Sequence, residues 1–135
     1  MSRGLRNCNP GNIRISKIKY QGEVTPSADS AFKQFTSMAW GYRAMFVLLD
    51  SYRRSGYQSI KQMIPRYAPP NENSTENYIR SVSLWSGILA DTPLNTRNPA
   101  MMIPVVSAMS RVENGVAADP VVVREGWELF VKNKP

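Results

Sequence analysis

Glu113 is the side chain of this sequence whose position best suits acid chemistry. Ten residues of the chain are acidic, and most carboxylates in proteins are solvated surface charges. Glu113 instead lies at the C-terminal end of a largely apolar predicted helix, where a negative charge opposes the helix dipole at a cost of about 0.3–1 kcal/mol. Met109 and Val112 add apolar surface nearby. Both effects favour the protonated carboxyl, as a general acid at neutral pH requires.

A polar loop near the N-terminus offers hydrogen-bonding groups that suit a cleft. Residues 3–14 include arginine and asparagine side chains but no acid, and Pro10-Gly11 marks a turn. Asn7, Asn9 and Asn12 surround this turn. We expect these amides to line a polar cleft and bind substrate, because such a loop is poorly suited to a core.

Hydrophobic periodicity predicts the elements that would position these groups. Apolar residues recur at helical spacing in five segments. The predicted helix starts are Thr36 or Ser37, Ser59, Asn73, Asn98 and Asp119. Alternating apolar residues at 13–20 and 31–35 predict a small hairpin and a third strand near the N-terminus. The tryptophans at core spacing, predicted to be buried, are Trp40, Trp85 and Trp127. The sequence therefore predicts one mostly helical α+β domain over residues 1–135.

Composition excludes several kinds of active site. The chain has no histidine and one cysteine, Cys8, which excludes a Ser-His-Asp triad and an internal disulfide and argues against a zinc site. We expect Cys8 to be a small, partly buried side chain, and we expect no metal or cofactor. The sequence has no bilayer-spanning apolar run and no secretory signal, so we expect synthesis in the cytoplasm without membrane insertion.

The net charge of +7 indicates an affinity for polyanions. Five cations precede the first acid, Glu23. Nucleic acid, anionic lipid and the acidic polymers of a cell wall are candidate partners, and a solvated basic face is the alternative. Charge alone does not choose between them.

Three segments carry a resemblance to a known family. They are the opening loop, Arg66-Tyr-Ala-Pro-Pro-Asn-Glu-Asn-Ser-Thr-Glu-Asn-Tyr-Ile79, and Glu113-Asn-Gly115. With them the chain resembles phage and prophage virion proteins that carry a lysozyme-like, peptidoglycan-degrading domain, although that family usually has asparagine at the position of Cys8. The resemblance implies a lysozyme-like fold and a glycan substrate.

The resemblance and the position of Glu113 together assign this residue as the acid that protonates a glycosidic oxygen. Glu23, at the end of the predicted hairpin, is the best second carboxylate, and Asp29 is a weaker one. With Glu113 alone the reaction would be that of a lytic transglycosylase, whereas a suitably placed second acid would favour hydrolysis by a muramidase. Besides the asparagines, the predicted sugar contacts are Tyr20, Gln21, Glu72, Asn73 and Tyr78.

The order of the elements differs from that of familiar lysozyme-like enzymes. There a β-hairpin lobe follows the helix that ends in the catalytic glutamate, but here the predicted hairpin opens the chain. We hypothesise a circular permutation, which is physically cheap when termini lie close together. It predicts that Glu113 faces the hairpin and the loop at 7–12 across a cleft.

Two other functions stay open. The first is a non-catalytic virion structural or wall-binding module, which the lack of a second carboxylate would favour. The second is a basic nucleic-acid-binding domain, which is less favoured because the cations are not interleaved with exposed aromatic residues. The expected partners are peptidoglycan strands and other virion proteins. A phage particle, a holin-type pore or cell lysis would deliver the protein to the wall.

Overall fold

The computed structural model describes residues 1–68 and 74–133. Within these ranges the fold is mostly helical with one small sheet, an α+β arrangement as predicted. The elements in chain order are α1 (Arg3–Arg6), β1 (Glu23–Val24), β2 (Gln34–Phe35), α2 (Met38–Arg54), α3 (Ile60–Tyr67), α4 (Thr75–Ser86), α5 (Pro99–Asn114) and α6 (Pro120–Lys132).

Capping side chains set the boundaries of the long helices. The confirmed N-caps are Ser37, Ser59, Asn98 and Asp119, each of which accepts a hydrogen bond from a backbone N–H two or three residues ahead. The predicted start at Asn73 is wrong, because Ser74 caps α4 by accepting from the N–H of Asn77. Gly87 and Gly115 end α4 and α5 with φ of 76° and 73°, a left-handed conformation that glycine adopts without a steric penalty.

The core lies where α2 packs along α6, while α4 packs along α5. Phe46 of α2 is central to it, because its ring meets Trp127 edge-on at 5.1 Å and stacks with Phe130 at 6.1 Å between centroids. Burial of Trp127 is confirmed, and Trp40 is partly buried. The prediction for Trp85 is wrong, since this residue is 42% exposed and Arg111 lies 4.0 Å from its ring centroid.

The β element is smaller than the alternation predicts. β1 pairs antiparallel with β2, with Glu23 opposite Phe35, so the predicted strand at 31–35 is confirmed only at its end. The predicted strands at 13–20 are wrong apart from an isolated bridge between Arg14 and Phe32. The buried Lys33 explains part of this difference, because its ammonium donates to the carbonyl of Ile18 at 2.8 Å. The Lys33 side chain thus provides the hydrogen bond that a neighbouring strand would otherwise provide to this backbone carbonyl.

Most of the polar loop at 7–12 is buried, contrary to the expectation that it is unsuited to a core. Asn9 has no exposed surface. Its amide nitrogen donates to the carbonyls of Ile13 and Lys33, both at 2.9 Å, and its amide oxygen accepts from the Ile13 N–H at 2.9 Å. A fully bonded amide can be buried without a large penalty, so Asn9 joins this loop to the segment before β2.

Among the helices that the structure describes, none has the length and apolar character of a membrane-spanning segment.

Candidate active site

Glu113 lies in the last turn of α5 and is bound by side chains from two other parts of the chain. Its Oε1 accepts a hydrogen bond of 2.9 Å from Nδ2 of Asn12 in the N-terminal loop. Its Oε2 accepts one of 2.9 Å from the hydroxyl of Tyr78 in α4. Each carboxyl oxygen keeps a second lone pair, so a proton can occupy the carboxyl while both contacts persist.

The loop that carries Asn12 is fixed from several sides. Asn12 has φ of 49°, a left-handed conformation that asparagine adopts more readily than most residues. Asn114 follows Glu113 and donates to the carbonyl of Pro10 at 2.7 Å. Tyr67 donates to the carbonyl of Gly11 at 2.5 Å, and a Cβ on Gly11 would overlap that hydroxyl. The end of α5 and the loop therefore form one rigid unit.

Burial dominates the electrostatics of this carboxyl. It raises the pKa of Glu113 above the ordinary value of 4.5, and the hydrogen bonds from Asn12 and Tyr78 and the charge of Arg14 offset only part of that rise. Burial, followed by the nearby Glu113, raises the pKa of Tyr78 well above 10. Tyr78 therefore remains a neutral hydrogen-bond donor while Glu113 retains its proton to a higher pH than an exposed glutamate.

Glu113 opens onto a cleft of about 340 Å³. Its aromatic lining residues are Tyr20, Phe32, Tyr52 and Tyr67, and its cations are Arg14 and Arg66. Among the described residues that line this cleft, Glu113 is the one acid. Aromatic faces suit sugar rings, and a protonated carboxyl can donate its proton to an oxygen bound in the cleft.

The chain also has a sequence relative of phage origin. It is 40% identical over 119 residues to protein P5 of Pseudoalteromonas phage PM2, and the match covers 84% of this chain and 72% of that protein. The chain belongs to the family of phage protein P5. No protein-family model matches it. The relation to phage proteins expected from the sequence is confirmed, while the lysozyme-like domain stays a prediction.

The structure brings some of the predicted site residues of this P5-family chain together. Asn12, Tyr20 and Glu113 share the cleft, and Tyr78 contacts Glu113 directly. Burial is the main cause that raises the pKa of Tyr20 to about 12, so its phenol is neutral at physiological pH. Gln21 is exposed and is not among the described residues that line the cleft. The two remaining predicted contacts, Glu72 and Asn73, lie outside the described residues.

Asn7 and Asn9 bind other parts of the protein. The amide nitrogen of Asn7 donates to Asp29 at 3.1 Å, and the Arg3 guanidinium is the largest of the contacts that hold the pKa of Asp29 well below its usual range. Asn9 makes the three hydrogen bonds described above. Neither asparagine is among the described cleft residues, so we assign both to holding the loop that presents Asn12.

Glu23 lies in a buried ion pair. Both of its carboxylate oxygens accept from Nζ of Lys33 at 3.1 Å, and the two side chains are 5% and 0% exposed. Oε1 also accepts from the N–H of Tyr20 at 3.1 Å. Glu23 is not among the described residues that line the cleft. These contacts give it a structural function, and its role as a second carboxylate stays a prediction without geometric support.

Sequence reasoning identified three of the described cleft residues, Asn12, Tyr20 and Glu113, and did not identify the others as parts of a site. Four of the others are arginine or tyrosine residues whose side chains could contact a ligand. They are Arg14, Tyr52, Arg66 and Tyr67. Arg66 and Tyr67 begin the second family-like segment, which was a usable signal. Tyr52 is read from the sequence only as part of the apolar face of α2, because periodicity does not distinguish a core position from a cleft position.

Proposed function

We propose that this chain cleaves the glycan strands of peptidoglycan, with Glu113 as the general acid. The observation that carries the proposal is a carboxyl with a raised pKa at the wall of a cleft lined by aromatic side chains. Such a group protonates the glycosidic oxygen as the bond from that oxygen to the anomeric carbon breaks. Asn12 and Tyr78 then stabilise the carboxylate that remains, since both donate to it.

Within this proposal, the lytic transglycosylase reaction fits the cleft better than hydrolysis. A muramidase uses a second carboxylate as nucleophile or as base for water, and the described cleft residues include no acid besides Glu113. In the transglycosylase reaction the 6-hydroxyl of the muramic acid attacks the anomeric carbon. Its proton passes to the Glu113 carboxylate, which restores the acid and leaves a 1,6-anhydro sugar.

The proposal includes a lysozyme-like domain whose elements are circularly permuted and which reaches the wall as part of a phage particle. In support, the acid at the end of α5 accepts a hydrogen bond from Asn12 and shares its cleft with Tyr20, and both residues come from the segment that opens the chain. The similarity to a phage protein supports the part of the proposal that places this chain in a phage.

Digestion of isolated sacculi tests the proposal. Soluble products would be analysed by mass spectrometry after incubation with the wild-type chain, Glu113→Gln and the control Tyr42→Phe. Tyr42 is a suitable control because its buried hydroxyl contacts Ser110 at 2.9 Å and does not touch Glu113. We expect anhydro-muropeptides from the wild type and the control, and none from Glu113→Gln.

Other outcomes separate the alternatives. Products with reducing ends would show that the reaction is hydrolysis by a muramidase and not the transglycosylase reaction. Intact sacculi that retain bound protein would favour a non-catalytic wall-binding module, and full activity of Glu113→Gln would remove Glu113 as the acid. Salt-sensitive binding to duplex DNA without activity on sacculi would favour the nucleic-acid-binding alternative.

A further inference from the structure

One wall of the cleft is formed by residues 16–20, a segment that belongs to no helix or strand. Its lining residues are Ser16, Ile18 and Tyr20. Hydrogen bonds fix the two ends of this wall. Just before it, the N–H of Ile15 donates to the carbonyl of Ala31 at 3.0 Å, and at its end the N–H of Tyr20 donates to Glu23 at 3.1 Å. The middle of the wall needs a support of its own to keep its shape.

Lys33 provides that support from the interior of the protein. Its ammonium donates to the carbonyl of Ile18 at 2.8 Å and to that of Ser16 at 3.5 Å. It also lies 5.6 Å from the ring centroid of Tyr20, a cation–π distance. One side chain thus contacts each of the three cleft-lining residues of the wall. Within the described parts of the chain, no other residue outside the wall bonds its backbone between Ser16 and Lys19.

Lys33 is itself held by contacts that do not involve the wall. Its backbone N–H donates to the carbonyl of Ile13 at 2.9 Å, and its carbonyl accepts from the buried amide of Asn9 at 2.9 Å. Both carboxylate oxygens of Glu23 accept from its ammonium at 3.1 Å. Asn9 also holds the loop that carries Asn12, so the wall and this loop are positioned by the same buried amide.

The burial of Lys33 is not explained by stability alone. Its side chain is 0% exposed and that of its partner Glu23 is 5% exposed. A buried ion pair often contributes no more stability than apolar side chains of similar size, because both charges lose their hydration. An apolar pair could not donate to the carbonyls of the wall, however. The contacts with Ser16 and Ile18 therefore distinguish Lys33 from a residue that only fills the core.

We propose that Lys33 is a positioning residue for glycan binding, which holds the wall at 16–20 in the shape that a glycan strand contacts. This inference rests on the proposed glycan-strand function. A wall that is ordered before binding leaves less conformational entropy to be lost when a strand binds. Lys33 is not among the described residues that line the cleft, and the hydrogen bonds to Glu113 come from Asn12 and Tyr78. Its removal should therefore weaken binding and leave the chemical step unchanged.

Two chains that differ only at position 33 test the inference. Lys33→Met alone would leave the buried Glu23 carboxylate unpaired, so it is combined with Glu23→Gln, and the Glu23→Gln chain is the reference. The glutamine in both chains keeps an oxygen that can accept from the Tyr20 N–H. Binding of soluble peptidoglycan strands would be measured by calorimetry after Glu113→Gln is added to both chains to prevent turnover. The values of kcat and KM would be measured without that substitution, and circular dichroism would check that each chain is folded.

We expect the double variant to bind the strands roughly tenfold more weakly than the reference, with KM raised by a similar factor, since side chains of the wall must then be ordered on binding. Its kcat should equal that of the reference. Asp50→Asn is the control for lost stability, because the buried Asp50 carboxylate pairs with Arg97 at 3.0 Å outside the described cleft lining. Its KM should equal that of the wild type.

Limited tryptic digestion reports on the wall without any glycan. Lys17 and Lys19 are exposed, and proteolysis at such sites depends on how readily the local backbone opens. Lys61 is also exposed but lies within α3, so cleavage there reports on the opening of a helix and serves as the internal reference. Relative to cleavage after Lys61, we expect cleavage after Lys17 and Lys19 to be faster in the double variant than in the Glu23→Gln chain. Mass spectrometry of the fragments separates the sites.

Three results would overturn the inference while the proposed function stands. The first is equal affinity of the two chains for the strands. The second is weaker binding without faster cleavage after Lys17 and Lys19, because Lys33 would then act by a route other than the wall. The third is a lower kcat with an unchanged KM, because Lys33 would then affect the chemical step. If the reference chain carrying Glu113→Gln bound no strand at all, the inference and the proposed function would both be overturned.

Discussion

Tyr78→Phe isolates the hydrogen bond that stabilises the ionised form of Glu113. Tyr78 is 2% exposed, so the substitution keeps the buried ring and removes only the hydroxyl that donates to Oε2. A hydrogen bond to a charged acceptor contributes about 1.5–3 kcal/mol and one to a neutral acceptor about 0.5–1.5 kcal/mol. The free energy of unfolding should therefore fall by about 1 kcal/mol more at pH 8, where Glu113 is more ionised, than at pH 4, where it is protonated.

The same substitution should change the pH dependence of catalysis. Because the hydrogen bond from Tyr78 lowers the pKa of Glu113, its removal raises that pKa further. The general acid is active when protonated, so kcat/KM, which declines at high pH as the acid ionises, should decline at a higher pH in Tyr78→Phe than in the wild type. Urea unfolding at several pH values and the rate of sacculus digestion against pH would measure the two effects.

Tyr42→Phe provides the matched control for this experiment. Tyr42 is 1% exposed, and its hydroxyl bonds the neutral Ser110 of the same helix that carries Glu113. Its loss of stability should not vary with the ionisation of Glu113. If Tyr78→Phe lost the same free energy at every pH and left the pH profile of kcat/KM unchanged, Tyr78 would be a packing residue and the assigned electrostatics of Glu113 would be wrong.

Three further predictions follow from the contacts of the two glutamates. Asn12→Gly removes the other hydrogen-bond donor to Glu113, and glycine adopts the φ of 49° at this position without strain. Because the hydrogen bond from Asn12 lowers the pKa of Glu113, its loss should move the alkaline decline of kcat/KM to higher pH, and an unchanged pH profile would contradict this. The stability of Glu113→Gln relative to the wild type should rise from about pH 4.5 to about pH 7, because a raised folded-state pKa makes the wild type lose stability as pH rises while glutamine does not titrate; urea unfolding across this range checks the sign. Glu23→Gln leaves the buried Lys33 without its anion and should lower the free energy of unfolding by about 3–5 kcal/mol, while sacculus digestion per folded molecule stays at the wild-type rate; loss of that activity would restore Glu23 to the site.

Local sequence predicts the helices of this protein well and the N-terminal third poorly. The helix starts are predictable at Ser37, Asn98 and Asp119, because capping depends on a few adjacent residues. The segment before β2 depends instead on long-range contacts. The buried Lys33 replaces strand pairing there, and Asn9 bonds backbone on two segments. No periodicity encodes such contacts, so alternation in this region wrongly predicts strands.

The candidate site shows the same division between local and long-range information. The helix end at Asn114-Gly115 and the apolar neighbours of Glu113 are local, and they lead to the choice of this carboxyl. Its partners Asn12 and Tyr78 are 101 and 35 positions away, and their pairing follows only from the fold. The ion pair of Glu23 is less distant, at 10 positions from Lys33. It is nevertheless hidden from the sequence, because lysine is rarely found with a fully buried side chain.

Glu113 links the chemistry proposed for this chain to its folding. Its carboxyl joins the N-terminal loop and α4 to the end of α5, and Asn114 adds a second connection from α5 to Pro10. A structural acceptor alone would be most stable with a fully ionised carboxylate, since hydrogen bonds to an ionised acceptor are the stronger ones. Burial here raises the pKa instead, so the ionised form of Glu113 is less stable in the folded protein than it would be in water. A raised pKa of this kind fits the general-acid role that we propose for Glu113.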